Sequence, residues 1–191
     1  MKFIATDVSD TREKMTDKAS AQLGKPGFAI DPYFYRSHVT YQAELENIVF
    51  KSWLYAGHIS QVAKTGDYFL FDIGEDSIII SRDNKGDICV MHNICRHRGA
   101  RVCEEPSGNR KAFICPYHGW AYGNDGKLKS ARDMDHREGF NCDDYSLKPV
   151  RFVVFQGMIF INCDPDAPDF VAPLEKITTQ LGAYDLENAK V

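Results

Sequence analysis

Two short cysteine–histidine pairs set the strongest constraint on how this chain folds. Cys95 and His97 stand in "CRHRGA", Cys115 and His118 stand in "CPYHGW", and 17 residues separate His97 from Cys115. The chain holds only six cysteines and six histidines in 191 residues, so two of each within 95–120 is not a random scatter. A fold that uses the four side chains together must bring two separate loops side by side.

The flanking sequence supplies such loops. "YFLFDI" (68–73), "SIIIS" (77–81) and "DICVM" (87–91) are β-branched and aromatic runs, joined by Gly74-Glu75-Asp76 and by Asp83-Asn84-Lys85-Gly86. Runs of this kind broken by turn formers predict antiparallel hairpins. "KAFICP" (111–116) is a further strand, Asn124-Asp125-Gly126 is a tight turn before "KLKS", and "VRFVVF" (150–155) and "MIFINC" (158–163) flank Gln156-Gly157. Short, regularly spaced strands predict a mainly β chain, an antiparallel sandwich or small barrel, with both Cys–His pairs on loops at hairpin tips. Thr40 reads as the cap of a helix reaching about residue 52, with Leu45, Ile48, Val49 and Trp53 at helical spacing facing a core. The first thirty residues, with Gly24, Pro26 and Gly27, read as a short helix or loose arm, and "PLEKITTQLGAYDL" as a terminal helix. The organisation expected is an N-terminal arm over 1–40, a β domain with its leading helix over 41–172, and a C-terminal helix over 173–191.

Composition narrows the function classes. Hydrophobic residues make up 43% and aromatic residues 12%, enough for a packed core, and a net charge of −4 argues against nucleic acid as a partner. No run of about 18 apolar residues exists to span a membrane. The opening "MKFIATDVSDTREK" has no apolar segment of an export signal, so a cytoplasmic chain with reduced thiols is expected. Basic residues cluster at Arg96, Arg98 and Arg101 and at Arg110 and Lys111, as a solvated loop or as a dock for an acidic protein.

Reduced cysteines beside histidines point to a metal. Thiolates suit soft metals, while imidazole suits iron, zinc or copper. Four such ligands close one tetrahedral zinc or divide over the two irons of a [2Fe–2S] cluster. Structural zinc with mixed ligands ordinarily spaces its cysteines as C-x2–4-C. Here each loop offers one cysteine and one histidine, C-x-H and C-x2-H, which suits a cluster with thiolates on one iron and imidazoles on the other; zinc is the alternative. Gly99 and Gly119 follow the ligand segments, where the backbone must bend around an inorganic core, and Pro116 stiffens the second loop.

C-x-H-x17-C-x2-H, spelled "CRHRGA" and "CPYHGW", resembles the Rieske motif of Rieske non-haem iron oxygenases, in the α (oxygenase) subunit. The resemblance extends upstream through "SWLYAGH" and "TGDYFLFDIGEDSIII" and downstream through "YGNDGKL" and "LKPVRFVVFQGMIFIN", covering roughly residues 30 to 185. It implies a Rieske-type antiparallel β-sandwich in which Cys95 and Cys115 bind one iron of a [2Fe–2S] cluster and His97 and His118 the other. Rieske proteins of respiratory bc complexes carry two extra cysteines that form a disulfide; Ala100 and Tyr117 occupy the matching positions here. This implies the oxygenase or ferredoxin class and a potential toward the low end of the Rieske range, which starts at about −150 mV. Cys103 reads as a small core residue.

Oxygenases of this family add a catalytic domain with a mononuclear Fe(II) on a D-x2-H-x4-H pattern. Asp133 and His136 have the first spacing, but Asn141 stands where the second histidine belongs, and no histidine follows His136. His38, His58 and His92 read as packing or surface residues. The resemblance therefore implies the electron-transfer part of an oxygenase, without catalytic residues of its own, served by an NAD(P)H-dependent flavin or ferredoxin reductase and trimeric when full length. A free-standing Rieske ferredoxin is the alternative within the family. The spelling of residues 102–128 looks most like oxygenases of quaternary ammonium compounds, with aromatic-ring hydroxylating dioxygenases second. Trp120 and Tyr117 either line a docking surface or pack around the cluster.

Overall fold

The computed structural model describes residues 10–134, 136–170 and 174–191. The first nine residues of the expected arm, and Pro173 at the head of the expected C-terminal helix, lie outside the described residues. The chain divides into two units, Met1–Ser52 and Trp53–Val191. The break thus falls at Ser52, not at residue 40, and the helix assigned to the β domain belongs to the first unit.

In that first unit, α1 (Arg12–Leu23) is capped by Thr11, whose side chain accepts from the Lys14 amide. Helix α2 (His38–Asn47) begins two residues before the expected cap. Ser37, not Thr40, terminates it: the Ser37 hydroxyl accepts from the Thr40 amide at 3.0 Å and donates to the Asp10 carboxylate. Tyr33 also donates to Asp10, at 2.7 Å, so a single carboxylate gathers α1's entry and α2's cap. The helix stops at Asn47 because Ile48 leaves helical geometry, at φ −120 and ψ −63. The expected apolar stripe is cut short in consequence. Leu45 is buried, Ile48 is exposed, and Trp53 falls in the second unit.

Among the described residues the second unit is mainly β, as expected, with antiparallel strands in three small sheets. One holds β1 (Leu54–His58), β10 (Met158–Asn162) and β9 (Arg151–Phe155) in that order. Another runs β4 (Ile88–His92), β3 (Asp76–Arg82), β2 (Asp67–Ile73), β5 (Ser107–Asn109). The last runs β6 (Ala112–Ile114), β7 (Ala121–Gly123), β8 (Leu128–Ser130). Strand β3 is interior to its sheet, and Ile78, Ile79 and Ile80 are each fully buried. That is why "SIIIS" is a continuous apolar run rather than an alternating one; each such side chain contributes roughly 1.5–3 kcal/mol by leaving water. The main core collects Ile79, Val102, Phe113, Trp120 and Tyr122, with Tyr68 meeting Phe113 edge-on at 5.2 Å. Strands β1, β5 and β7 carry no strand signal of their own: each is short, and each contains glycine.

Helix α3 (Leu174–Leu181) is followed by short helical turns that bring the chain back onto the first sheet. There His58 is buried; its Nε2 bonds the Leu186 carbonyl at 2.9 Å and its Nδ1 accepts from the Ser60 amide at 3.2 Å, fixing the tautomer. Gly157 makes the room. It sits at φ +77, and a Cβ there would collide with His58 Nε2 and approach Glu187 Cα to 3.0 Å. Among the described residues no helix is long and apolar enough to cross a membrane.

Gly157→Ala is expected to cost about 2–4 kcal/mol, from left-handed backbone strain plus overpacking, read as a lowered denaturation midpoint. A second test uses pH. Burial, with Asp83 nearby, raises the Cys89 thiol from 9.0 to about 11; burial, with Cys103 beside it, raises the Tyr68 hydroxyl from 10.0 to about 12. Both folded values lie above the unfolded ones, so their contribution to stability is fully present below pH 9.0 and is lost as pH climbs through 11 to 12. Urea midpoints across this range check it; a midpoint that stays flat would refute the assignment.

Candidate functional site

The two loops have different supports. The second, Cys115 to Trp120, joins the paired strands β6 and β7 and is a hairpin connection as expected. The first is not. Strands β4 and β5 lie at opposite edges of their sheet, so the segment from Asn93 to Pro106 crosses from one edge to the other. Asn93, fully buried, clasps its two ends: its Oδ1 accepts from the Val102 and Cys103 amides at 3.0 Å each. Its Nδ2 donates to the Cys103 carbonyl at 2.6 Å and to Ser77 Oγ at 3.2 Å. All of its bonding capacity is therefore used.

Despite these different supports, the loops share one backbone pattern. The Gly99 amide bonds the Cys95 carbonyl at 2.9 Å, and the Cys95 amide bonds the Ala100 carbonyl at 2.7 Å. The Gly119 amide bonds the Cys115 carbonyl at 3.0 Å, and the Cys115 amide bonds the Trp120 carbonyl at 2.8 Å. Gly99 at φ +74 and Gly119 at φ +73 make the turn. A Cβ on either would meet nothing within 4 Å, so the backbone angle alone calls for glycine.

This repeated turn brings the expected residues together in two pairs, Cys95 with Cys115 and His97 with His118. Cys95 and Cys115 are almost wholly buried, at 3% and 1% exposure. Burial pushes the Cys115 thiol up, and the adjacent Cys95 thiol adds to the rise. The His97 and His118 rings lie 4.6 Å apart. Burial first, then His118 and Arg98, hold His97 below the usual histidine range, which keeps its imidazole neutral and able to ligate near pH 7. His97 Nδ1 is buried and has no hydrogen-bond partner among the described residues.

Three neighbours complete the surroundings, and one of them, Tyr122, shares with Asn93 the lack of any signal in the sequence. Tyr122, fully buried, sets its hydroxyl 3.3 Å from Cys95 Sγ and accepts from the Arg96 amide at 3.0 Å. Burial and the Cys95 thiol push that phenol up. Tyr122 and Asn93 are single polar residues of common type, so no spacing marks them. Trp120 is buried at 1% exposure and lines no docking surface; it stacks on His97 at 4.9 Å and 7°. Tyr117 is exposed and overlies His118 at 3.8 Å.

The remaining candidates lie elsewhere. All six cysteines are free thiols, and Cys103 is a core residue, as expected. His38 and His136 are exposed, and His92 is half-buried. Among the described residues no three His, Cys, Asp or Glu side chains converge on a single-ion site; a centre with two protein ligands per metal needs no such trio. The basic cluster is partly neutralised within the chain, Arg101 by Asp72 at 3.5 Å and Arg110 by Glu105 at 2.6 Å.

Known proteins are similar to this chain in sequence and in fold. The chain is 44% identical over 142 residues to chlorobenzene dioxygenase subunit alpha of Cupriavidus sp. (strain PS12), a match covering 73% of this chain and 31% of that protein. It is 34% identical over 167 residues to the glycine betaine monooxygenase oxygenase subunit of Pseudomonas aeruginosa (strain UCBPP-PA14), covering 86% of this chain and 38% of that one. The crystal structure of naphthalene 1,2-dioxygenase from Rhodococcus sp. superposes with a TM-score of 0.73 at 29% identity, over 84% of this chain and 37% of that one. The chain thus spans about a third of the length of these relatives. Residues 52–149, just over half of the chain, match the Rieske [2Fe-2S] domain family, and the chain belongs to that family.

Proposed function

We propose that Cys95 and Cys115 hold one iron of the [2Fe–2S] cluster, that His97 and His118 hold the other, and that the domain carries electrons within an oxygenase α subunit. The observation that carries this reading is the buried His97 Nδ1: among the described residues it has no hydrogen-bond partner, while its ring lies beside a second imidazole and the same two loops carry two adjacent buried thiols. An imidazole nitrogen shut away from water without a partner is costly, and coordination to iron relieves that cost. When bound, the cluster takes up and releases one electron at a time. The protein's part is to bury the thiol ligands, to set Tyr122 against the Cys95 sulfur, and to leave the His118 edge under the exposed Tyr117 ring, where an electron can enter or leave.

In the whole oxygenase, the donor is an NAD(P)H-dependent flavin or ferredoxin reductase. The acceptor is a mononuclear Fe(II) in residues that the relatives carry beyond the matched region, and the assembly is a homotrimer. Its reaction is an O2-dependent hydroxylation or demethylation. For its substrate we place an aromatic ring ahead of a quaternary ammonium compound, since the match to chlorobenzene dioxygenase is 44% identical and that to glycine betaine monooxygenase 34%.

The purified 191-residue chain is expected to be red-brown, with two iron and two acid-labile sulfide per chain. Cys95→Ser or Cys115→Ser abolishes the colour, whereas serine at Cys89, Cys103, Cys142 or Cys163 leaves it. Colourless protein carrying one zinc would overturn the reading, as would loss of the cluster from the latter four variants. Histidine ligation has its own signature. Oxidation of the histidine-bound iron acidifies the outer ring N–H groups, so protons leave with the electron and the reduction potential falls as pH rises into the alkaline range. A potential independent of pH there would count against imidazole ligands.

A further inference from the structure

We propose that Trp120 is a positioning residue for the cluster: its indole, parallel to the His97 imidazole, fixes the plane of that ring and biases the cluster toward its oxidised state. This inference rests on the ligand assignment above.

The two imidazoles are held in different ways. His118 is overlaid from the solvent side by Tyr117 at an interplanar angle of 31°, and Tyr117 is 58% exposed. His97 lies against Trp120 with ring planes only 7° apart and centroids 4.9 Å apart. Trp120 cannot easily turn. It is buried, it meets Tyr145 at 5.7 Å and Phe140 at 5.9 Å, both edge-on, and its own carbonyl closes the Cys115 loop. The indole is thus locked by packing on one side and presents a flat wall to His97 on the other. A ligand ring is free to rotate about its Cβ–Cγ bond until something stops it, and here the wall does.

The same contact has an electrostatic sign. The face of an indole is the negative end of its quadrupole and the best of the aromatic faces for a cation. Positive charge on an iron-bound imidazole is greater when that iron is oxidised. Stacking therefore stabilises the oxidised form more than the reduced form, and lowers the reduction potential. Among the described residues no buried aromatic wall lies against His118, so the two histidines are inequivalent, with His97 the constrained one.

The test compares Trp120→Phe and Trp120→Leu with the parent protein, all loaded with cluster. Iron and sulfide content reports loading, the midpoint potential is read by voltammetry, and the histidine nitrogen hyperfine couplings are read by pulsed EPR of the reduced state. The expected result is equal iron and sulfide content, a midpoint potential rising in the order Trp, Phe, Leu, and a changed and broadened coupling for one of the two histidines only. Core packing alone would lower stability without moving one histidine's coupling. Parental potentials and couplings in the variants would overturn the proposal, and so would a potential that falls. If the leucine variant does not load, the phenylalanine variant, which keeps a ring in the same core, decides by the same criterion. A parent chain that binds no two-iron cluster would instead overturn the proposed function, and this inference with it.

Discussion

Two thiols and an imidazole nitrogen shut away from water, with no partner for that nitrogen among the described residues, are the arrangement around which this domain is organised. Burial disfavours the thiolate and the imidazolium alike, as the raised Cys115 and lowered His97 values record. A metal centre reverses the balance for the thiols and uses the histidines as they are. The twin loops, the glycines at positive φ, the Asn93 clasp and the Tyr122 hydroxyl all serve to hold that set of donors in one place before any metal arrives.

The supports divide the work. Backbone bonds shape each loop from within, in the same pattern twice, and need only glycine at one position in each. Side chains then fix the loops to the body of the domain: Asn93 ties the first across its base, the Tyr122 hydroxyl holds that same loop to β7, and Trp120 anchors the second from beneath. Side-chain hydrogen bonds in such a buried site act as a network, so the loss of one member leaves others unsatisfied, at about 1–3 kcal/mol for each orphaned group.

Much of this was legible in the sequence, and the reasons differ from element to element. The pairs β2–β3 and β9–β10 were readable because turn formers bracket runs of β-branched and aromatic residues, and the four proposed donors stood out because their spacing is rare. The α2 cap was misplaced by three residues because Ser37 and Thr40 are both hydroxyl residues, one offering the oxygen and the other the amide of a single bond. Strands of three residues such as β5 and β7 have no periodicity to read; β5 exists because the longer β2 offers it an edge, and β7 because it pairs with β6 on one side and β8 on the other. The crossing of the first loop from one sheet edge to the other is a tertiary fact that no local pattern carries. Trp120 looked as much like a surface residue as a core one, since a tryptophan beside a ligand suits either place, and only packing decides.

The donors hang from two different sheets, the first pair from the end of β4 and the second from the hairpin of β6 and β7, and aromatic side chains fill the space between. Phe113 and Tyr68 meet across that space, with Trp120 and Tyr122 in the same core. The core is therefore a spacer whose thickness sets how far apart the two loops stand. Because packed interiors yield little to a missing or added methylene, a change of volume there is passed on as a displacement of one pair of donors against the other. Colour and spectrum thus act as a gauge of packing, registering distortions of the interior too small to unfold the chain.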